Sequence, residues 1–205
     1  MKQCPPFSPK LGPMEGPLEI RKLEIEGAWI ASSPIWADSR GSFREWFKCE
    51  DILATTGLDF SVAQANLSES KRGVLRGIHY SLAEVGQSKW VTAVTGAIKD
   101  VIVDIRPSSS TFGKYVAVDL VGGDGQVVLI GAGLGHGFLS KADGSIVAYL
   151  VTSAFSPTEE FEINPLDPEI GIEWDFPVSE LLLSSKDADA PRLTERSIEG
   201  KLPRT

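Results

Sequence analysis

Only two histidines occur in this 205-residue chain, His79 and His136. They lie in Arg76-Gly77-Ile78-His79-Tyr80 and Gly135-His136-Gly137-Phe138, strand-like runs punctuated by glycine and aromatic residues. So few imidazoles exclude a mononuclear centre held by three or four of them, and with it a metal-dependent oxygenase of that kind. A neutral imidazole acting as a proton-transfer base remains open. Arg76, Lys89 and Tyr149 fall in neighbouring strand-like segments, and each can steer an anion or a proton. An imidazole becomes an effective base when a carboxylate fixes its tautomer and stabilises the imidazolium. By residue type alone, Asp100, Asp104, Asp187 and Asp189 all compete for that place. Tyr149 can return a proton as a neutral phenol, and Lys89 can hold an oxyanion developing on a carbonyl oxygen.

Strands must position these groups. Residues 60–67, 74–80, 89–94, 97–105, 115–120, 126–130, 136–139 and 145–152 read as strands. Glycine and proline turns separate them, among them Thr95-Gly96, Pro107-Ser108-Ser109, Gly122-Gly123-Asp124-Gly125 and Asp143-Gly144. Short strands at spacings of about ten residues predict an all-β double sheet of jelly-roll type, with a pocket at the barrel mouth. Neither face of residues 97–106 is cleanly apolar, which predicts a strand wet at its ends. Residues 45–56 predict a helix, or a strand and a helix, stopped by Gly57. A second short helix is expected to begin within residues 177–183. Arg76 and His79 differ in strand parity, so Gly77 must mark a bulge if both face one site.

Bulk properties narrow the partners. With 42% hydrophobic and 23% charged residues the chain is an ordinary globular one, long enough for a single buried core. A net charge of −8 argues against nucleic acid, and an anionic ligand would need locally placed arginines. No apolar run reaches the ~20 residues of a membrane span. The N-terminus carries no signal-peptide pattern, and Cys4 and Cys49 suit neither a disulfide framework nor a metal pair; both points predict a cytoplasmic setting. Residues 1–17 contain five prolines and read as an irregular arm, residues 18–193 as one domain, and residues 194–205 as a short charged tail.

An ordered series of motifs is more specific. Asp38-Ser-Arg40-Gly41-Ser-Phe43-Arg-Glu45 is followed by Gln64-Ala-Asn66-Leu-Ser68 and Val74-Leu-Arg76-Gly77-Ile-His79-Tyr80. Lys89, Gly96-Ala-Ile-Lys-Asp100-Val-Ile-Val-Asp104-Ile-Arg106, His136-Gly137-Phe138, Tyr149 and Leu183-Ser-Ser-Lys186-Asp187 complete it. This series, spanning roughly residues 20–193, resembles the dTDP-4-dehydrorhamnose 3,5-epimerase family, the RmlC-like cupins of deoxysugar biosynthesis. The resemblance implies a cupin-type jelly roll with short peripheral helices. It also implies epimerisation of a dTDP-4-keto-6-deoxyhexose, without metal or cofactor, at C3 and C5 beside the 4-keto group. By similarity His79 is the base, Asp187 its orienting carboxylate, Tyr149 the proton donor and Lys89 the holder of the enolate oxygen. Arg76 and His136 would shape the same pocket. Nucleotide contacts would fall to Arg40, Phe43, Glu45, Gln64 and Asn66, the first three reaching across from the partner of a homodimer. One departure touches specificity. Ala154 and Phe155 precede Ser156-Pro157 where the family often carries aromatic hydroxyls, which opens the alternative of epimerisation at C3 alone. A non-catalytic nucleotide-sugar-binding cupin is the remaining alternative; it would not need both His79 and Asp187.

Overall fold

The computed structural model of the protein describes residues 17–203, so the proline-rich arm lies outside the described residues except for Pro17. Its strands are β1 (Glu19–Lys22), β2 (Ala28–Ser32), β3 (Trp36–Asp38), β4 (Gly41–Phe43), β5 (Gln64–Ser70), β6 (Leu75–Ser81) and β7 (Lys89–Thr95). They continue with β8 (Ala97–Asp104), β9 (Tyr115–Val121), β10 (Gln126–Ile130), β11 (Leu134–Ser140), β12 (Ser145–Val151) and β13 (Glu160–Glu162). Three short helices are α1 (Cys49–Thr56), α2 (Ser185–Ala188) and α3 (Leu193–Ile198). No helix among the described residues is long and apolar enough to cross a membrane.

Two sheets face each other in a jelly roll. The order in one is β1-β2-β10-β7-β12-β5 and in the other β13-β6-β11-β8-β9, with antiparallel pairing throughout. Side chains alternate across each strand, and the inward set from both sheets forms the core: Val91, Val128 and Val147 meet Ile98, Ile102, Leu120 and Phe138. Both outer faces are covered as well. Ile52 of α1 and Phe60 pack on Trp29, Trp90 and Leu129 of the first sheet. Ile163, Ile170, Leu193 and Leu202 pack on Ile78, Val101 and Val103 of the second.

That second cover explains the one strand whose faces looked ambiguous. β8 is expected to be wet at its ends, yet only Ala97 and Lys99 are less than fully buried. Its outward valines lie under the C-terminal segment, and its inward aspartates are paired inside the protein. The segment after residue 193 therefore packs against the barrel through Leu193, Arg196 and Leu202. Gly57 caps α1 at φ +74, a left-handed conformation that costs a glycine little and a side chain more. The helix expected in residues 177–183 is a single 3-10 turn, Val178–Glu180, and the helix that follows begins only at Ser185. β1, β2, β3, β4 and β13 have no counterpart among the expected strands; most are three to five residues long, too short for alternation to register.

Candidate active site

β6 brings the first imidazole to the barrel mouth. Its register against β11 steps from His136↔His79 to Phe138↔Arg76, so β6 holds one residue more than its partner over this stretch. That is the bulge expected at Gly77, and it turns Arg76 and His79 toward one cavity despite their opposite parity. Gly77 has φ +124, and a Cβ there would lie 2.5 Å from Gly137 Cα and 2.8 Å from the His136 carbonyl oxygen. A side chain has no room. Gly77→Ala is expected to destabilise the fold by roughly 2–4 kcal/mol, from strain and overpacking. Urea denaturation measures this; a loss below half a kcal/mol would mean the bulge relaxes freely.

The cavity has a volume of about 600 Å³. His79, Lys89, Tyr149, Arg76, Gln64, Asn66 and Asp187 line it, joined by Gln87, Phe155, Glu160 and Lys186. Of the four candidate carboxylates, Asp187 meets His79: Nε2 lies 2.7 Å from Oδ1. Asp100 is bonded instead to His136, at 2.8 Å. Asp104 accepts from Arg106 and Ser109, and Asp189 is an exposed helix-end residue. Asp187 is placed by α2, whose N-cap Ser184 accepts its main-chain N–H at 3.1 Å. Burial pushes the Asp187 carboxyl up, but the His79 contact, the Ser184 hydroxyl and the Gly77 N–H outweigh it, and it ends below its ordinary value. An ionised carboxylate can only accept, so Nε2 of a neutral His79 carries the proton and Nδ1 carries the basic lone pair.

Lys89 is more enclosed than a rim residue, at 7% exposed, and its Nζ donates to the His79 carbonyl oxygen at 3.2 Å. Burial pushes its ammonium down to about 8, against the opposing charges of Glu160 and Asp100. Burial raises the Tyr149 phenol, with Arg76 opposing and Glu160 adding, so the hydroxyl stays protonated at neutral pH. Arg76 is held by Ser70 Oγ, 3.2 Å from Nε, and by the Glu69 carbonyl. Arg76, Lys89 and Lys186 together put cationic groups around one cavity in an acidic protein, a local reversal that suits an anionic ligand.

Four expected residues stand apart from this cavity. His136 lies on the inter-sheet face of β11 beside Phe138, with 9% of its side chain exposed and its Nε2 tied to Asp100. It sits across from His79 in the β6–β11 register and is not among the residues lining the cavity. Arg40 and Phe43 sit on the β3–β4 hairpin, around a separate hollow of about 290 Å³ with Trp36. Arg40 is 88% exposed and pairs with Asp38 at 2.6 Å, while Glu45 lies 3.6 Å from Lys48. The chain does not bring them to its own cavity.

Gln87 and Glu160 are wall residues that sequence reasoning missed. Gln87 Nε2 donates to Glu160 Oε1 at 3.1 Å and to Ser153, joining the β6–β7 connection to β13. Gln87 shares strand parity with Lys89, a usable signal; Glu160 lies in a three-residue strand that offers none. Among the described residues no three His, Cys, Asp or Glu side chains gather in metal-binding geometry.

Comparison with known proteins finds relatives over nearly the whole chain. The chain is 45% identical over 184 residues to a dTDP-4-dehydro-6-deoxyglucose 3-epimerase of a Streptomyces species, covering 90% of this chain and 93% of the relative. It is equally 45% identical over 186 residues to a dTDP-4-dehydrorhamnose 3,5-epimerase of Mycolicibacterium smegmatis, covering 91% of each. The crystal structure of ChmJ, a 3'-monoepimerase from Streptomyces bikiniensis in complex with dTDP-quinovose, superposes with a TM-score of 0.85 at 43% identity, over 89% of this chain and 91% of that one. The sequence model described as dTDP-4-dehydrorhamnose 3,5-epimerase covers residues 22–195, which includes every strand of both large sheets except the first residues of β1. With the family model matched over most of the chain, and the fold and sequence shared with such relatives, the chain belongs to the dTDP-4-dehydrorhamnose 3,5-epimerase family.

Proposed function

We propose that the protein epimerises a dTDP-4-keto-6-deoxyhexose at carbon beside the ketone, with His79, Lys89 and Tyr149 moving the proton and stabilising the charge. The observation that carries this reading is the His79–Asp187 contact of 2.7 Å at a cavity shared with a buried lysine and a half-buried phenol. The 4-keto group acidifies the hydrogens on C3 and C5. His79 Nδ1 takes one of them, and the electron pair moves to O4 as an enolate. Asp187 stabilises the imidazolium, and the Lys89 ammonium faces the oxyanion. Tyr149 then gives its phenolic proton to the opposite face of the carbon, which inverts it. Solvent reprotonates the phenolate and takes the proton from His79. The step is redox-neutral and leaves one solvent hydrogen on carbon.

A reading restricted to C3 draws on Phe155, which lines the cavity with no hydroxyl where the family often carries one. Incubation with dTDP-4-keto-6-deoxyglucose in deuterated water tests both. Deuterium at C3 and C5 supports double epimerisation, and deuterium at C3 alone supports the restricted form. No incorporation despite tight binding would make the protein a nucleotide-sugar binder instead.

The same reading takes the protein as a homodimer in which the β3–β4 hairpin of one subunit completes the other's cavity. Its support is the exposed position of Arg40 and Phe43, away from the chain's own cavity, together with exposed Leu67 on the edge strand β5. Complementation tests this. His79→Asn and Phe43→Ala variants, each inactive alone, should regain activity when mixed, since one site of the mixed dimer has both an intact base and an intact hairpin. No recovery after verified subunit exchange would place the hairpin outside the site.

A further inference from the structure

The helix that carries Asp187, α2, is a single turn of four residues, too short to hold its own place. Its position comes from the chain on either side. After it, Asn164 Nδ2 donates to the Ala188 carbonyl oxygen at 3.1 Å. Before it, residues 173–184 run as a strap over β6 and β11, with Leu181 buried against Leu75 and Leu139. Asp175 anchors one end of the strap, 2.8 Å from both Lys99 Nζ and Lys141 Nζ. The β5–β6 turn fixes the other. The Leu182 N–H donates to the Gly73 carbonyl oxygen at 2.8 Å and the Leu75 N–H to the Leu182 carbonyl oxygen at 3.0 Å, a parallel bridge between Val74 and Leu182. The turn is itself tied to the barrel, since the Gly73 N–H donates to the Ser140 carbonyl oxygen at 2.9 Å. Arg72 closes the joint from outside: Nη1 lies 3.1 Å from Glu180 Oε2, and the guanidinium lies 3.9 Å from the centre of the Phe176 ring. A Cβ on Gly73, at φ +85, would stand 2.5 Å from the Glu180 carbonyl oxygen, so an approach this close requires glycine. His79 follows Gly73 by six residues and Asp187 follows Leu182 by five. The joint is where the two segments bearing the pair meet.

We infer that Gly73 and Arg72 are positioning residues for proton transfer: the close joint they make with Glu180 and Leu182 sets the reach of Asp187 to His79. The inference rests on the epimerase reading above. Neither residue lines the cavity, so each acts through the strap and not on the substrate. A methyl group at position 73 must push the Glu180–Leu182 main chain outward, because the turn is pinned to Ser140 on its other side. Asp187 then withdraws from Nε2, and His79 loses the group that fixes its tautomer. A misplacement of about 1 Å is enough to lower a rate by about 10²-fold. The second imidazole pair, His136 with Asp100 at 2.8 Å, joins β11 to β8 and contains no strap residue, so it serves as an internal control.

Proton NMR of the full chain carrying isotope-labelled histidine reads the two pairs separately, because the protein has only two imidazoles and His79→Asn identifies one of them. An imidazole N–H held by a carboxylate resonates downfield and is protected from solvent. In Gly73→Ala the His79 signal should move upfield or broaden away while the His136 signal stays in place. Deuterium exchange at carbon should fall at least about tenfold, with the loss in kcat and not in KM. Arg72→Ala, at an exposed position, should move the same signal and lower exchange about threefold, an exposed ion pair being a modest restraint. Arg72→Lys should restore both, since a lysine can keep the Glu180 pair and the Phe176 ring. Thermal melts establish that each variant is folded, and if Gly73→Ala is not, the two Arg72 variants decide. An unchanged His79 signal and exchange rate in folded Gly73→Ala, or in Arg72→Ala, overturns the inference, and so does loss of both imidazole signals together. A wild type that shows the His79 signal but exchanges no hydrogen of dTDP-4-keto-6-deoxyglucose removes the epimerase reading, and the signals alone then judge the joint.

Discussion

Asp187→Asn is expected to lower the rate of deuterium exchange at carbon by about 10³- to 10⁴-fold, as much as or more than His79→Asn, which removes the base itself. The reason is tautomeric. The carboxylate accepts from Nε2 of a neutral His79 at 2.7 Å and so leaves Nδ1 unprotonated, the nitrogen that the proposed mechanism uses. An asparagine can present its amino group to the same nitrogen. Nε2 then accepts, the proton sits on Nδ1, and the imidazole has no lone pair where the reaction needs one. Asp187→Ala should be the milder change, because the ring is then free to choose its tautomer in water. Binding of dTDP should change by less than about threefold in all three variants, since the pair acts on the proton and not on the phosphates. Single-turnover exchange measured by mass separates these cases. An Asp187→Asn variant within tenfold of wild type would remove Asp187 as the orienting group.

The bulge at Gly77 was readable before any coordinates, because two residues of opposite parity were needed on one face and a glycine stood between them. Gly57 as a helix stop was equally local. The choice of carboxylate was not local. His79 and Asp187 are separated by 108 positions, and residue type ranks Asp100, with its own imidazole partner, no lower than Asp187. Only the route of the chain from residue 176 to α2 decides between them, and through the sequence it was reached by resemblance alone. The placement of His136 was no more local. Strand parity puts it on the face that looks inward, but inward on β11 means the packed space between the sheets, not the open mouth. The outer cover of β8 was hidden because its apolar partners come from α3 and the tail, whose charged composition conceals a few buried residues.

Lys89→Met is expected to separate stability from activity in opposite directions. The lysine is buried, and its ammonium sits at about 8 against an ordinary value of 10.5. At 1.36 kcal/mol per pH unit that difference is on the order of 3 kcal/mol. Its sign follows from proton counting. Below pH 8 both folded and unfolded chains hold the proton, and the folded one carries a desolvated charge, so the residue destabilises the fold by its full amount. Between about 8 and 10.5 the folded chain sheds the proton while the unfolded chain keeps it, and stability rises with pH. A methionine of similar length should therefore stabilise the protein at pH 7 by about 1–3 kcal/mol, the lost hydrogen bond to the His79 carbonyl oxygen taking back part of the gain. That advantage should fade as pH climbs through the interval. Activity should move the other way, down by about 10²- to 10³-fold, because nothing then faces the enolate oxygen. Wild-type turnover should decline as pH rises through about 8, where the ammonium is lost, while the residual rate of the variant stays level there. Chemical denaturation and exchange rates across pH 6–10.5 read both effects from one preparation. A variant less stable than wild type at pH 7 would mean that Lys89 is held by its neighbours more strongly than burial opposes it, and an unchanged rate would take the lysine out of the reaction.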